Sequence, residues 1–469
     1  MQCPAPYDAP SQRAVDHRSI RDRCFVNEDS DVRRLSPLVA FLAPMLSAFG
    51  TAAQQQTSPQ VPGDPSNLVF QLVLPADHLL GSWGGLRTRL ERAGITPRLT
   101  LVTDLAGNPS GGRANGVTAP TSVGLGLLFD LDTIFGRKGG SLYMGFSQHW
   151  GKALSLSYIG NVFGTQQVYG FETFRFTDVY YQQQLLDDRL ELRLGRFAPT
   201  NDFLVSAYSC GFVQSAFCGN PPAMGFDAPS AGGSGKWAAL VKVKPTRRSY
   251  AMIGAYNGDT LARIRSMRHH GLDFSLHGPL FAIGEVAYQV NGLPGEDRRL
   301  GNYKLGGWYD QARITEFESG ARTRGTGGYY ALFDQVFAPI DTAGTNRGVG
   351  AFGSVTVAPI PEAQRMSLLV TAGVLARGMS DAHPRDGVAL AVAVGQFSED
   401  FERAQRGGQV PGRGAAVQEH ETVLELNYRL DFLLSAVFVQ PNLQFIIWPG
   451  ATGLLPNATV LGVQLGVNF

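Results

Sequence analysis

From residue 96 to residue 469 the chain alternates apolar and polar side chains in runs of about ten, each closed by Gly, Pro, Asn or Asp. RLTLVTDLAG sets Leu99, Leu101 and Leu105 against Arg98, Thr100 and Asp104. SVGLGLLFDLD gathers Val123, Leu125, Leu127, Phe129 and Leu131 on one side. DRLELRLGR opposes Leu190, Leu192 and Leu194 to Glu191, Arg193 and Gly195. MSLLVTAGVLA puts Met366, Leu368, Val370, Ala372 and Val374 on one face. ETVLELNYRLDF sets Leu424, Leu426, Tyr428 and Leu430 against Glu425, Asn427, Arg429 and Asp431. The final run, LGVQLGVNF, repeats the pattern through Leu461, Val463, Leu465, Val467 and Phe469. A period of two belongs to β-strands, whose successive side chains point to opposite faces.

A soluble sandwich would bury its apolar faces between two sheets. Here nearly every run carries the pattern, and after residue 96 no helix is expected to cover a sheet. The reading is therefore all-β: one closed antiparallel sheet, apolar outside and polar inside, which is a transmembrane β-barrel. Pairing of the first and last strands removes both edges. An aromatic at Phe469 fits a last strand that outer-membrane assembly machinery reads as its signal, and the apolar face then meets membrane lipid.

Seventeen candidate strands lie between residues 97 and 469. A single-chain bacterial barrel with both ends on one side needs an even number. Long segments at 198–234 and 399–420 belong outside, which confines the error to residues 236–377, and 271–276 is the weakest candidate there. Sixteen strands are expected.

Composition agrees. Charged residues are 17%, against about 25% in soluble domains, while Gly (57), Phe (28) and Tyr (15) are plentiful. Mean hydropathy is only −0.05, as expected when wet and greasy positions average out. A net charge of +1 argues against a nucleic-acid partner.

Ahead of the strands, Arg33 and Arg34 precede the apolar run LSPLVAFLAPMLSAFG and a small-residue exit, so 32–53 reads as a signal peptide. Residues 1–31 then read as an extension upstream of the true start, with initiation at Val32 from a GTG codon. Residues 54–80 read as a periplasmic linker. Within 81–95, Leu86, Leu90 and Ala93 share a helical face, with Ser82 as cap and Gly94 as stop, so a short amphipathic helix is expected. Residues 96–469 form the barrel. In an exported chain, Cys210 and Cys218 read as a loop disulfide, the plainer alternative being two free thiols.

Several long segments resemble one family. WGGLRTRLERAGI, YIGNVFGTQQVYG, FRFTDVYYQQQLLDDRLELRLGRFAPTNDF, the CGNPP loop and VLELNYRLDFLLSAVFVQPNLQFIIWPG are similar, in order, to the carbohydrate-selective porins of the OprB family. The resemblance covers residues 79–469. It implies a monomer in the cell outer membrane whose narrow polar pore passes small sugars such as glucose. The family pattern often places an acidic residue and a Trp before the Tyr of DVYYQQQ, so Tyr180 would take any stacking role here.

A sugar offers hydroxyls and an apolar face, so a selective lumen needs paired donors and acceptors plus an aromatic platform. The inward candidates are Arg98, Asp104, Arg175, Glu191, Arg193, Lys236 and Glu285, with Trp308 as platform. For each of them the plainer role is wetting and bracing the wall. Arg196 and Asp202, in LGRFAPTND, are candidates for ordering the following loop. Trp150, Trp237 and Trp448 fall at strand ends and read as interfacial girdle residues.

No cofactor or metal site is expected. GLGLLF lacks the third glycine and following helix of a dinucleotide site, and His269–His270 lack ligand partners. The leading function is passive sugar diffusion. The alternative is a general porin, or one selective for anions or sugar acids, since the inward set is rich in Arg and Lys. An enzyme in a barrel lacks a nucleophile–base motif, and long plug-like loops argue against a purely structural barrel.

Overall fold

The structure, a computed structural model, describes residues 78–170, 173–206, 208–217, 235–259, 276–291, 299–340, 347–412, 416–433 and 436–469. The expected leader, the extension before it and the linker up to residue 77 lie outside the described residues.

A short helix α1 (Leu86–Arg92) leads into one closed antiparallel sheet. Its first half comprises β1 (Ile95–Ser110), β2 (Gly116–Thr118 and Thr121–Asp130), β3 (Gly140–Trp150), β4 (Thr173–Leu185), β5 (Leu190–Phe197), β6 (Lys236–Thr246), β7 (Ser249–Asn257) and β8 (Leu280–Val290). The second half comprises β9 (Gly301–Thr315), β10 (Arg322–Pro339), β11 (Gly348–Val357), β12 (Met366–Arg377), β13 (Gly387–Phe397), β14 (His420–Phe432), β15 (Val437–Ile447) and β16 (Ala458–Asn468). The two pieces of β2 lie end to end against β1, at Ala106↔Thr118 and Thr103↔Thr121, so they count as one stave and the barrel has sixteen. The break falls at Ala119–Pro120, where proline has no N–H to extend the ladder.

Closure is between β1 and β16, from Thr100↔Asn468 to Gly107↔Leu461. With each stave paired on both sides, no ladder edge is left to face lipid. β7 pairs directly with β8, from Ser249↔Tyr288 to Asn257↔Leu280, which leaves no place between them for a stave at 271–276. Residues 271–275 themselves lie outside the described residues.

Helix α1 ties the start of β1 to the end of β16 at one rim. Buried Arg87 donates from Nη1 to the Phe469 main-chain oxygen (2.9 Å), from Nη2 to Pro97 O (3.2 Å) and from Nε to Glu91 (2.9 Å). The Phe469 N–H donates to Leu99 O at 2.9 Å.

Side-chain polarity is inverted relative to a soluble protein. Leu105, Leu125, Leu194, Ile253, Leu305, Leu426, Leu461, Val463 and Leu465 are exposed on the outer face. Asp104, Glu191, Arg193, Glu285, Glu421, Glu425, Gln444 and Gln464 are buried within. That arrangement is stable only with lipid outside and hydrogen-bond partners inside.

Among the described residues, several features differ from the alternation reading. Met366 is fully buried in an inner cluster, not on the lipid face, because a bulge between Met366 and Leu368 shifts its phase. Among the described residues, α-helices do follow residue 96: α2 (Leu131–Phe135), capped by Asp130, and α3 (Glu399–Arg406), capped by Ser398 Oγ on the Phe401 N–H. β10, at 18 residues, also runs well past the expected length of about ten.

Candidate functional site

Two connections turn inward and line the lumen. The first, between β3 and β4, is pinned at its middle. Val162 N and Phe163 N donate to the carboxylate of Glu421 on β14, at 2.7 and 2.9 Å. Gln166 accepts from Leu154 N and Thr118 Oγ1 (both 3.0 Å) and donates to Asp104 O (2.7 Å). Gln444 on β15 donates to Thr165 O at 2.9 Å.

The second, between β5 and β6, crosses from β5 along the wall to β15. Asp202 takes two bonds from Arg193 Nη1, both 2.9 Å. Leu204 N donates to Glu285 (3.0 Å) and Lys304 Nζ to Val205 O (2.8 Å). Gln440 and Asn427 donate to Gly211 O, and Val213 N and Gln214 N donate to the two oxygens of Glu425, each at 2.9 Å. The two connections then join each other through Ser215 N to Gly164 O (2.8 Å) and Gln167 N to Val213 O (3.0 Å).

Apolar side chains seat this assembly. Leu154, Ile159, Phe163, Phe212 and Phe217 pack on Phe352, Met366, Val423 and Ile446. Phe203 packs among Phe197, Tyr256, Phe281, Trp308 and Tyr330. Within the second connection, burial raises the Asp202 carboxyl above its usual value while the Arg193 guanidinium opposes the shift. Burial, helped by Asp334, pushes the Tyr208 hydroxyl up to about 12.

The β1–β4 wall is different. One inward rung reads Thr100, Gly124, Ser147, Arg175 across the four strands, and all four are half-exposed. The next rung reads Arg98, Gly126, Gly145, Asp178. Tyr143 lies over Gly126, so near that a Cβ there would meet its hydroxyl at 2.8 Å, and its ring stacks on Tyr180 at 5.3 Å. A side chain at this position would make the ring shift. Tyr143 is half-exposed; Asp178 accepts from Asn201 Nδ2 at 3.3 Å.

The residues singled out from the sequence divide accordingly. Arg98 and Arg175 are half-exposed on this wall. Asp104 is buried against Gln464. Glu191 and Arg193 form a buried 2.8 Å ion pair, and Arg193, 2% exposed, also lies over the Tyr180 ring at 4.8 Å. Lys236 is buried with Asp310 as its charged neighbour. Glu285 accepts from Tyr250 Oη (2.6 Å) and Tyr330 Oη (2.8 Å) besides Leu204. Trp308 faces inward but is 5% exposed, covered by the aromatic cluster that holds Phe203, with its ring in the space above Gly328. Arg196 donates to Gly235 O at 3.0 Å, where the second connection rejoins the sheet. Cys210 lies in that connection; Cys218 lies outside the described residues. Tyr143, Glu421 and Glu425 were not singled out. Alternation puts Glu425 on the polar face, but spacing alone does not mark which polar residue receives a loop.

A closed sixteen-stave barrel with a lipid-facing apolar belt and a polar lumen narrowed by inward loops is a porin of the bacterial outer membrane, a passive channel. Residues 115–469 match the family described as carbohydrate-selective porin, OprB family, and the chain belongs to it. "Porin B" of Pseudomonas aeruginosa is 27% identical over 437 residues, covering 83% of this chain and 91% of that one. "Putative porin QuiX" of Acinetobacter baylyi is 24% identical over 427 residues, covering 83% and 93%. A high-pH structure of Pseudomonas putida OprB superposes with a TM-score of 0.76 at 24% identity, covering 85% of this chain and all of that one.

Proposed function

We propose that small neutral sugars, glucose among them, pass down the β1–β4 wall beside the two inward connections. The observation that carries this is the contrast in side-chain size and exposure. The connections are pinned on β5, β8, β9, β14 and β15 and reach the first four staves at Asp104, Thr118 and Asp178, while Thr100, Gly124 and Ser147 leave room between half-exposed Arg98, Arg175 and Tyr143. The guanidinium groups and hydroxyls supply donors for sugar hydroxyls, and the Tyr143 ring supplies an apolar face. Asp104, Glu191, Arg193, Lys236, Glu285 and Trp308 act at one remove, by bracing the wall and the loops.

A second reading is supported by charge. Arg98 and Arg175 are half-exposed, whereas Glu191 and Glu285 are buried and engaged, a pattern that also suits sugar acids. Single-channel conductance of the refolded mature chain, titrated with glucose and then gluconate, separates the two. Block by glucose at concentrations where gluconate has little effect supports the sugar reading. Block by gluconate alone supports the anionic one, and indifference to both removes the selectivity claim.

The remaining parts of the reading concern the chain's life around the pore. A signal peptide at 32–53 directs export, the last strand with Phe469 is read by the assembly machinery, the barrel works as a monomer, and Cys210 pairs with Cys218. Mass spectrometry of the unprocessed precursor checks the start: peptides from 1–31 would exclude initiation at Val32.

A further inference from the structure

Three buried carboxylates on the barrel wall do something that an ordinary wall charge does not: they accept main-chain N–H groups from the inward connections. Glu425 is 0% exposed and uses both oxygens, for Val213 N and Gln214 N at 2.9 Å each, with Asn427 Nδ2 also at 2.9 Å. All three donors are uncharged. Glu421, four residues earlier on the same face, holds Val162 N and Phe163 N and also Gly450 N at 2.7 Å, so one carboxylate joins the first connection to the loop between β15 and β16. Glu285 holds Leu204 N.

A buried carboxylate is costly unless its lone pairs are filled, and N–H bonds to a charged acceptor are short and strong. Two successive N–H groups converging on one carboxylate also fix the direction of the chain, which a single side-chain contact does not. We infer that Glu425 and Glu421 are positioning residues that set the bore of the pore: they hold the inward connections against β14, and this placement, not their charge as seen by solute, fixes the largest sugar that passes. The inference rests on the reading of the constriction given above.

The test uses the full mature chain with Glu425→Gln and Glu425→Asp, and Glu421→Gln as an independent second position. Glutamine keeps the shape but offers one acceptor, and its amide N–H₂ faces the second main-chain N–H. Aspartate keeps the charge but is one methylene too short to reach both. Barrel formation is checked first by heat-modifiable gel mobility. Conductance and liposome swelling are then measured with glucose, a disaccharide and a trisaccharide, alongside the cation-to-anion permeability ratio. Bore-setting predicts that all three variants raise conductance and admit the trisaccharide relative to glucose. A change in the ion ratio in Glu425→Gln alone, with the size limit unmoved in every variant, would overturn the inference in favour of a simple lumen charge. Failure of Glu425→Gln to form a barrel leaves Glu425→Asp and Glu421→Gln to decide. Glucose block of the unaltered channel tests the constriction reading separately, so the two can fail independently.

Discussion

On β14, Glu421 and Glu425 point into the lumen and are wholly covered by the two inward connections. On β1 to β4, Thr100, Gly124, Ser147 and Arg175 point into the same lumen and stay half-exposed. Both walls are made of alternating strands with apolar side chains outward. What separates them is the inward set: carboxylates that take main-chain N–H groups of the loops on β14, and the small residues Thr100, Gly124 and Ser147 on the first three staves. Strand pattern builds the barrel, but the path through it is decided by which wall the loops can be tied to.

The largest expected effect falls on the covered side. Arg193 is the hub of Glu191, Asp202 and Gln182, and Arg193→Ala takes from two buried carboxylates the guanidinium that bonds them both. Removing one partner of such a buried set costs about 3–5 kcal/mol. Urea unfolding of the variant in detergent should show a loss of that order, together with noisy or enlarged conductance as the second connection loosens. A stability unchanged from the unaltered chain would mean that this network does not hold the loop.

A smaller effect belongs to Tyr330, whose hydroxyl donates to Glu285 at 2.8 Å. Tyr330→Phe keeps the ring in its aromatic cluster and removes one bond to a charged acceptor, worth about 1.5–3 kcal/mol. The same unfolding measurement reads it. A loss as large as that of Arg193→Ala would place the anchor of the second connection at Glu285 and away from the ion pair on β5.

How much of this was legible in the sequence follows from the physics of each part. The staves were legible because lipid makes the outer face apolar at every second residue, and the parity of a closed barrel removed the one surplus segment. Met366 was not, since a bulge reverses phase without altering composition. The piece of β2 at Gly116–Thr118 was not, because Pro120 reads as an ending and the ladder nevertheless resumes. Helix α3 carries its own local signals, Ser398 before three acidic residues and Arg406 before Gly407, but a strand-only expectation passes over them. The site was the least legible. Glu421 meets Val162, 259 residues away, and Trp308 is covered where Phe203 of the second connection packs into its cluster. Such partners are set by tertiary folding, and no spacing within one segment encodes them.

The smallest effect on stability, and the sharpest test of the contrast, is expected at Arg98. It points inward on β1, is half-exposed, and makes no hydrogen bond or ion pair among the described residues. Arg98→Gln should therefore change unfolding free energy by no more than about 0.5 kcal/mol, as for a surface position without special contacts. Transport should respond nonetheless. Glutamine keeps a donor for a sugar hydroxyl but removes the charge, so gluconate block should weaken and the permeability ratio move toward cations, while glucose block changes less. If glucose block is lost along with gluconate block, the guanidinium itself recognises the sugar, through a fork of donors that one amide cannot replace. If neither changes, the passage does not run along this wall, and the open side of the lumen must be sought elsewhere.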